Sequence, residues 1–590
     1  MHNRTMLASV RFLLDIRPAL TYDLAMPSLT RKLIGGRPYY YLRECQRVDG
    51  KPKIIWTHYI GSPERLVERL MRPEPLRVTL HEFGASAAVY DIAQRLQVVE
   101  TIERHVPKRG AQGPSVGQYL ALAAFNRCIA PRSKSRLADW YRKTALRRLL
   151  PMGPGQLTSQ RFWDNMDRVG EEEIVAIERD LSATAVSRFG LDLRCLLFDA
   201  TNFFTFVDSF NKRADLPQRG HGKEGRDNLR IVGLALLVTA DGDVPLFHHT
   251  YAGNQHDTVT FHSVADELAE RCCRLAQGAC DVTLVFDKGN NSDDNLQSVE
   301  DGPYHFVGSL VPSQHPDLLA VRRRQMRRLD RTRLPAVWSY RTKKVVFGVE
   351  RTVLCTFNDA LFDAQRKTLR REINKRQRQL LELQRRLDAA RTRRSGKRPT
   401  VEGTQKKVDA ILAARHMKQL FAVKVAGRSS GLPRIRFSFR EESWKKLCAT
   451  LLGKTILFTD RDNWPDEDIV LAYRAQSHVE AAFRQMKDPH FLTFRPAFHW
   501  TDQKLRVHAF YCVLALMIVS LLRRQLDQAG IRLSAAALIE KLADVRELAL
   551  VYPGPAQAKN AFTRTTLSEV DQIQRRMIRV LGIERYRTPS

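Results

Sequence analysis

The spacing of apolar and polar positions changes several times along the chain, and each change marks a new kind of element. Over residues 37–60, "RPYYYLRECQRVDGKPKIIWTHYI", β-branched and aromatic residues form two runs joined at Asp49-Gly50, the pattern of a tight hairpin. From about residue 78 to 185 the apolar positions recur at helical spacing. "SVGQYLALAAFNRCIA" (115–130) closes at Pro131, and "LTSQRFWDNMDRV" (157–169) opens with Thr158 or Ser159 placed to cap a helix. Between 190 and 312 strands and helices alternate. The unbroken apolar run Cys195 to Phe198 predicts a strand covered on both faces, ending in Asp199. "LRIVGLALLVTADGDVPLFHHTYAG" predicts two more strands that turn at Asp241-Gly242, followed by a helix over about 258–274. Val282 to Phe286 then predict another buried strand, ending in Asp287, before a short helix and the strand "YHFVGSL".

Residues 313–450 break this alternation. In "RKTLRREINKRQRQLLELQRRLDAARTRR", Ile373, Leu380 and Leu387 lie seven apart with Leu369, Leu383 and Ala390 beside them, the seam of a helical hairpin or short coiled coil. Between Arg366 and Lys407 there are 16 basic and 4 acidic residues, a surplus that favours a phosphate-contacting arm over a merely solvated helix face. After residue 451 the strand–helix pattern resumes, and 500–590 closes with helices. The longest apolar stretch, "AFYCVLALMIVSLL" (509–522), is 14 residues long, too short to span a bilayer, and reads as a core helix.

Charge changes this picture from a generic multidomain protein to one with a partner. Ninety-six Lys and Arg against 64 Asp and Glu leave +32 over 590 residues, for which a polyanion is the natural complement. The nine cysteines contain no C-x-x-C pair, which argues against a disulfide framework or a cysteine zinc site and fits a reducing compartment; Cys272, Cys273 and Cys280 read as packing on a helix. "MLASVRFLLDIRPAL" is interrupted by Arg11 and Asp15, so a signal peptide is not expected, and Met26 is an alternative start. The expected setting is cytoplasmic, with nucleic acid as partner and no membrane.

The order β-β-β-α-β-α-β with an acid at the ends of the first and fourth strands is the ribonuclease-H-like arrangement, in which those two strands are neighbours. Asp199 and Asp287 then project side by side, and two such carboxylates repel unless a cation lies between them. Few hard oxygen ligands, with room for water and phosphate, suit Mg²⁺ or Mn²⁺. A third ligand is expected from a helix after the last strand. In "TILFTDRDNWPDEDIVLAYRAQSHVEAAFRQMKD" the helix predicted over about 467–488 puts Tyr473, Gln476, Glu480, Arg484 and Lys487 on one face. The predicted fold class is α/β, a ribonuclease-H-like core interrupted by an inserted helical/β segment. Its parts are an N-terminal segment with a small β-module (1–77), a helical DNA-binding region (78–185), the first part of the core (186–312), the basic insertion (313–450), the second part of the core (451–490) and a C-terminal helical region (491–590).

These residues resemble the DDE transposases of bacterial insertion sequences, in particular the branch with the signature Y-x2-R-x3-E-x6-K. Tyr473, Glu480 and Lys487 match that spacing, and Gln476 stands where the signature has arginine. "YYYLRECQRVDGK", "LTSQRFWDNMD", "FDATNFF", "YAGNQHD", "FDKGNNS" and "RPAFHWTDQKLRVHAFYCVLAL" are similar to the insertion-sequence 1634 type, within the insertion-sequence 4 group, from about 37 to 550. The resemblance implies a catalytic triad of Asp199, Asp287 and Glu480 holding two Mg²⁺ (or Mn²⁺) ions. It implies that one ion, bridged by Asp199 and Asp287, activates a water or a DNA 3′-hydroxyl, and that the other, on Asp199 and Glu480, stabilises the leaving 3′-oxygen. It further implies cleavage at terminal inverted repeats, strand transfer into target double-stranded DNA, and a homodimer in a synaptic complex. Phosphate contacts fall to Tyr473, Lys487 and the Gln476 position, with Arg484 able to replace the missing arginine. The setting implied is the bacterial cytoplasm, at the nucleoid.

Two other readings start from the same residues. "FDATN" is similar to the nucleophile motif of haloacid-dehalogenase-type phosphatases, but Thr201 stands where their second Asp belongs. An inactive DNA-binding relative of a transposase would keep the charge and lose the chemistry. His248, His249, His256 and His262 suggest zinc, yet His248 and His249 are adjacent on a strand and point to opposite faces. Asn254 and Asp257 are expected to shape the turn after the third strand.

Overall fold

The computed structural model describes residues 28–588 except 49–50, 72–74, 111, 209, 221, 223–227, 256–263, 265–266, 268–270, 272–273, 275–280, 302–303, 393–397, 428–431, 496 and 553–561. Met26, Cys272, Cys273, Cys280, His256, Asp257, His262 and the stretch holding Arg11 and Asp15 therefore lie outside the described residues. The chain forms two compact units: Met1–Leu80 with Glu547–Ser568 and Thr588–Ser590, and His81–Arg546 with Glu569–Arg587.

The smaller unit begins with an antiparallel sheet of β1 (Ser28–Ile34), β2 (Arg37–Val48) and β3 (Lys51–Gly61), in that order. Gly35 and Gly36, at φ 56° and 75°, make the two-residue turn between β1 and β2, a conformation that disfavours side chains. β2 and β3 pair out to Val48 opposite Lys51, which is the hairpin expected from the sequence, although its turn residues are not described. Helix α1 (Pro63–Met71) follows. A second sheet joins β4 (Arg77–Glu82) to strands Arg546–Tyr552 and Phe562–Leu567.

In the larger unit, α2 (Gly84–Arg95), α3 (Val98–His105) and α4 (Val116–Ile129) build a helical layer rather than an exposed array. α4 buries nearly its whole circumference, because Ala121, Ala123 and Ala124 let neighbours approach from every side. At Gly117 a Cβ would stand 2.7 Å from the Val99 carbonyl, so only glycine allows α3 and α4 to touch there. Thr158 caps the helix Ser159–Met166 and α5 (Glu171–Phe189) leads into the sheet.

Among the described residues that sheet has ten strands. They are β5 (Cys195–Phe204), β6 (Gln218–Arg219), β7 (Arg230–Thr239), β8 (Pro245–Ala252), β9 (Thr283–Val285), β10 (His305–Leu310), β11 (Arg327–Arg328), β12 (Val337–Val346), β13 (Val349–Asn358) and, after a ribbon of β14 (Phe421–Ala426) and β15 (Arg434–Phe439), β16 (Lys454–Thr459). The path runs β11-β12-β13-β16-β10-β9-β5-β7, with β6 and β8 both paired to β7. β9 is parallel to both β5 and β10, and the other pairings are antiparallel.

Three assignments differ from the sequence reading. Residues 491–590, expected to close with helices, also carry the antiparallel strand pair Arg546–Tyr552 and Phe562–Leu567. Asp199 does not end its strand: β7 continues the ladder past β9, pairing Asp199 with Leu236 and Phe204 with Ile231, so β5 runs five residues further. Residues 327–358, expected in the insertion, belong to the main sheet, because the apolar run of β13 is buried and pairs along β16. What stands apart is residues 359–450: α6 (Asp359–Thr392), α7 (Val401–Ile411), the β14–β15 ribbon and helix Glu441–Thr450. Ile373, Leu380, Leu383 and Leu387 form its core with Val408, Met417, Leu420 and Trp444, the seam that the heptad spacing indicated.

The chain then crosses back through α8 (Asp466–Lys487) and α9 (Asp502–Gln528). α9 is longer than the 14-residue apolar stretch because Asp502, Lys504 and Arg506 open it and Arg523 and Arg524 sit in its last turns. By length and composition it is able to cross a membrane, but its apolar window is packed inside the protein.

Candidate active site

The parallel register of the central strands sets a row of polar side chains. Leu197 is level with Val285 across β5 and β9, and Val285 is level with Val307 across β9 and β10. Two residues further on, Asp199, Asp287 and Ser309 therefore fall side by side. The Ser309 hydroxyl donates to Asp287 Oδ1 at 3.0 Å, and the Ala200 amide donates to Asp199 Oδ1 at 2.9 Å. Ser309 escaped the sequence reading; the one signal was a hydroxyl within the apolar run "FVGSL".

α8 lies over this row and is pinned at three points. The Tyr473 hydroxyl donates to Asp287 Oδ1 at 3.2 Å, the Gln476 amide to the Phe198 carbonyl at 2.8 Å, and Lys487 Nζ to Thr201 Oγ1 at 2.8 Å. Lys487 also sits 5.5 Å from the centre of the Phe203 ring. Glu480 lies seven residues from each outer pin, about 10 Å along the axis at 1.5 Å per residue, and is exposed. Burial, opposed by a hydrogen bond with Ser309 and reinforced by the negative charges of Asp287 and Glu480, holds the Tyr473 phenol up to about 12, so it remains a donor.

The predicted residues separate into two groups. Tyr473 lies over the acidic row and feels the charge of Glu480, Lys487 reaches Thr201, and Arg484 is exposed on the same helix. Gln476 is different: it is buried at 5 % exposure, tied to the backbone of β5, and its Oε1 has no hydrogen-bond partner. That placement explains a neutral amide where the signature has arginine, since an unpaired guanidinium there would be a buried charge. Thr201 accepts the Lys487 bond instead of carrying a phosphatase's second carboxylate. His248 turns into the core to pair with Glu178, while His249 stands 3.7 Å from Glu267, so the two histidines diverge as their adjacency requires.

Behind the row, a buried polar cluster holds the segment after α8. Arg127 on α4 donates to the carbonyls of Thr493 at 3.3 Å and Arg495 at 3.1 Å. His508 Nε2 donates to the Phe494 carbonyl at 2.6 Å, and Phe494 stacks on Phe203 at 4.5 Å. His508 Nδ1 accepts in turn from Tyr511 at 2.6 Å and meets His499 Nε2 at 2.9 Å. Burial lowers both histidines well below their usual range, which keeps them neutral. Lys134 donates to the Tyr511 hydroxyl at 3.2 Å, and burial beside Arg127 pushes its ammonium down to about 7 from 10.5. The folded state therefore releases this proton before the unfolded chain does. The stability it contributes is full above about 10.5 and is lost as pH falls through 7. Lys134→Met is expected to raise the melting temperature near pH 7, and the gain should shrink steadily towards pH 9.5; a gain independent of pH in differential scanning fluorimetry contradicts this.

The donor chemistry suits a hard divalent cation: carboxylate oxygens from two rigid strands and one helix, with an exposed side facing solvent. Among the described residues no three His, Cys, Asp or Glu side chains converge on one point. Asp287 Oδ1 turns towards Ser309 and Tyr473. The carboxylates of Asp199, Asp287 and Glu480 are hard oxygen donors of the kind that would hold such a cation, so the residues fit that group in chemistry.

The family described as the transposase DDE domain matches residues 192–518, more than half of the chain and the whole stretch that carries the row and α8. The chain belongs to the DDE transposases. This transposase is also similar to a solved structure, the piggyBac transposase synaptic complex with hairpin DNA determined by cryo-EM, at 8 % identity and a TM-score of 0.34 over 78 % of each chain. No curated protein matches it. It is thus an enzyme of DNA transposition, and members of its class work with divalent metal ions.

Proposed function

We propose that this DDE transposase serves a bacterial insertion sequence of the 1634 type, cleaving DNA at terminal inverted repeats and joining the ends to target DNA. The observation that carries the reading is the level placement of Asp199 and Asp287 on neighbouring parallel strands beneath the helix that bears Glu480. A ribonuclease-H-like core is supported by the order β8-β7-β5-β9-β10 with β5 and β9 parallel. In this reading residues 1–77 and 78–185 precede the core, 186–358 and 451–490 form it with its sheet extension, the helical insertion of 359–450 interrupts it, and 491–590 closes it. The protein works as a homodimer on double-stranded DNA at the nucleoid.

Asp199, Asp287 and Glu480 would hold two Mg²⁺ or Mn²⁺ ions, which supply activation of the attacking oxygen and stabilisation of the leaving one. The remaining side chains orient and charge the site. Ser309 and Tyr473 fix the Asp287 carboxylate by donating to one oxygen, which leaves its rotamer set before DNA arrives. Lys487 places a positive charge over Thr201 on the same strand face as Asp199, where a phosphate passing the acids meets it. Arg484, exposed one turn from Glu480, is placed to supply the phosphate contact that buried Gln476 does not.

The test uses the full chain and a duplex containing the DNA that flanks its coding sequence. Incubation with Mg²⁺ is expected to yield 3′-hydroxyl ends at the borders of short imperfect inverted repeats. EDTA should abolish the product, and excess Mg²⁺ or Mn²⁺ should restore it. Cutting that persists in EDTA, or that ignores the borders, overturns the reading.

A further inference from the structure

The basic surplus of the chain does not stop at the insertion. Residues 28–61 carry seven basic and two acidic residues, and most of this segment folds into the three-stranded β1–β3 sheet. Opposed residues share a face in an antiparallel sheet, so the register sorts the side chains. Tyr41 faces Thr30 and Tyr59, Tyr39 faces Lys32, and Arg43 faces Ser28 and Thr57. One face therefore collects Lys32, Tyr39, Tyr41, Arg43, Thr57 and Tyr59. The other takes Leu29, Leu33, Leu42 and Trp56 together with Glu44, to which the Trp56 indole donates.

The first face is assembled as a surface. Tyr59, 44 % exposed, packs its ring 5.2 Å from Tyr41 and 6.1 Å from Tyr39. Arg43 lies 5.8 Å from the Tyr41 ring centre, and its Nε is buried with no hydrogen-bond partner. Side chains stand nearly upright on a sheet, so clustered tyrosines carry their hydroxyl donors at the outer tip, beside the two cations. Donors and positive charge, with no acid on that face among the described residues, complement a row of phosphates. A three-stranded face about 10 Å wide matches a major groove about 12 Å wide.

We propose that this face binds the sugar–phosphate backbone of duplex DNA and anchors the transposase on the element's end. The inference rests on DNA being the substrate, and it assigns end binding to the β-module rather than to the helices of 78–185, where α4 is buried in the core.

The experiment compares adjacent residues that face opposite ways. Lys32→Glu and Arg31→Glu alter the charge of the full-length protein identically, and both positions are exposed. Fluorescence anisotropy with a labelled duplex of the flanking DNA, in an Asp199→Asn background, is read over a series of NaCl concentrations. Lys32→Glu is expected to weaken binding at least about 5-fold at 0.1 M salt, and Lys32→Glu with Arg43→Glu to reduce the log–log salt slope by about two. Arg31→Glu should change affinity less than about twofold. Equal effects of Lys32→Glu and Arg31→Glu overturn the proposal, as does a change in oligomeric state by light scattering with affinity unaltered. Cleavage in the Asp199 parent reports on the catalytic reading separately, so loss of one conclusion does not carry the other with it.

Discussion

Asp199→Asn is expected to reduce Mg²⁺-dependent end cleavage by at least about 10³-fold, about 4 kcal/mol of transition-state stabilisation, while leaving duplex binding within about twofold. The substitution keeps the size of the side chain and the Ala200 amide bond to Oδ1, and so changes charge alone. Asp287→Asn and Glu480→Gln should fall into the same range, because each would remove a carboxylate that would help hold a divalent ion at the reacting phosphate. The three effects should not add in combination: once one acid is lost, the second removes little more. Near-normal cleavage by any single variant, in a product gel with matched active protein, removes that residue from the site. Asp287→Asn is the most exposed to a trivial outcome, since Ser309 and Tyr473 both donate to Oδ1 and would meet an amide in one of its two orientations. Asp287→Ser, which accepts from either hydroxyl, distinguishes lost charge from a disturbed hydrogen bond.

The second large effect belongs to Lys487. Lys487→Met retains the stem beside Phe203 and removes the charge and the bond to Thr201. Cleavage rate at saturating DNA should fall about 10²-fold, the usual loss when one preorganised charge is taken from a phosphoryl-transfer site. Lys487→Arg should recover less than half of that loss in free-energy terms, because the planar guanidinium does not reproduce a point donor to Thr201. A change confined to the DNA affinity, with the rate at saturation unaltered, would instead make Lys487 a binding residue remote from the reacting phosphate. Gln476→Arg, which restores the signature letter, is expected to lower stability rather than raise activity, since the side chain is buried against the β5 backbone.

Much of the proposed site was legible because its signals are local. An apolar run broken by a carboxylate is visible in ten residues, and the one-faced set Tyr473, Glu480, Arg484 and Lys487 needs a single helix. The hairpin at 49–50 and the heptad seam of α6 were legible for the same reason: turn chemistry and periodicity are written within one or two elements. Ser309 was not, because its role depends on parallel pairing with a strand some twenty residues earlier, and nothing in "YHFVGSL" announces the partner. The length of β5 was missed because β7, not its own composition, continues its ladder. Gln476 was placed correctly on the helix and assigned the wrong surroundings, since spacing reports which face a residue shares and not what covers it.

By itself the sequence determined the order of elements, the basic surplus, the acids and the helix that carries the third of them, all consequences of burial patterns and charge within short windows. Only the tertiary structure decided which strands are neighbours and in what register, and that registration is what sets Asp199 level with Asp287 and Ser309. It also decided that residues 327–358 extend the sheet, that Arg127 and His508 hold the segment behind the site, and that the tyrosines and cations of β1–β3 share one face. Each of these depends on hydrogen-bonded pairing or packing between segments distant in the chain, which no local periodicity records.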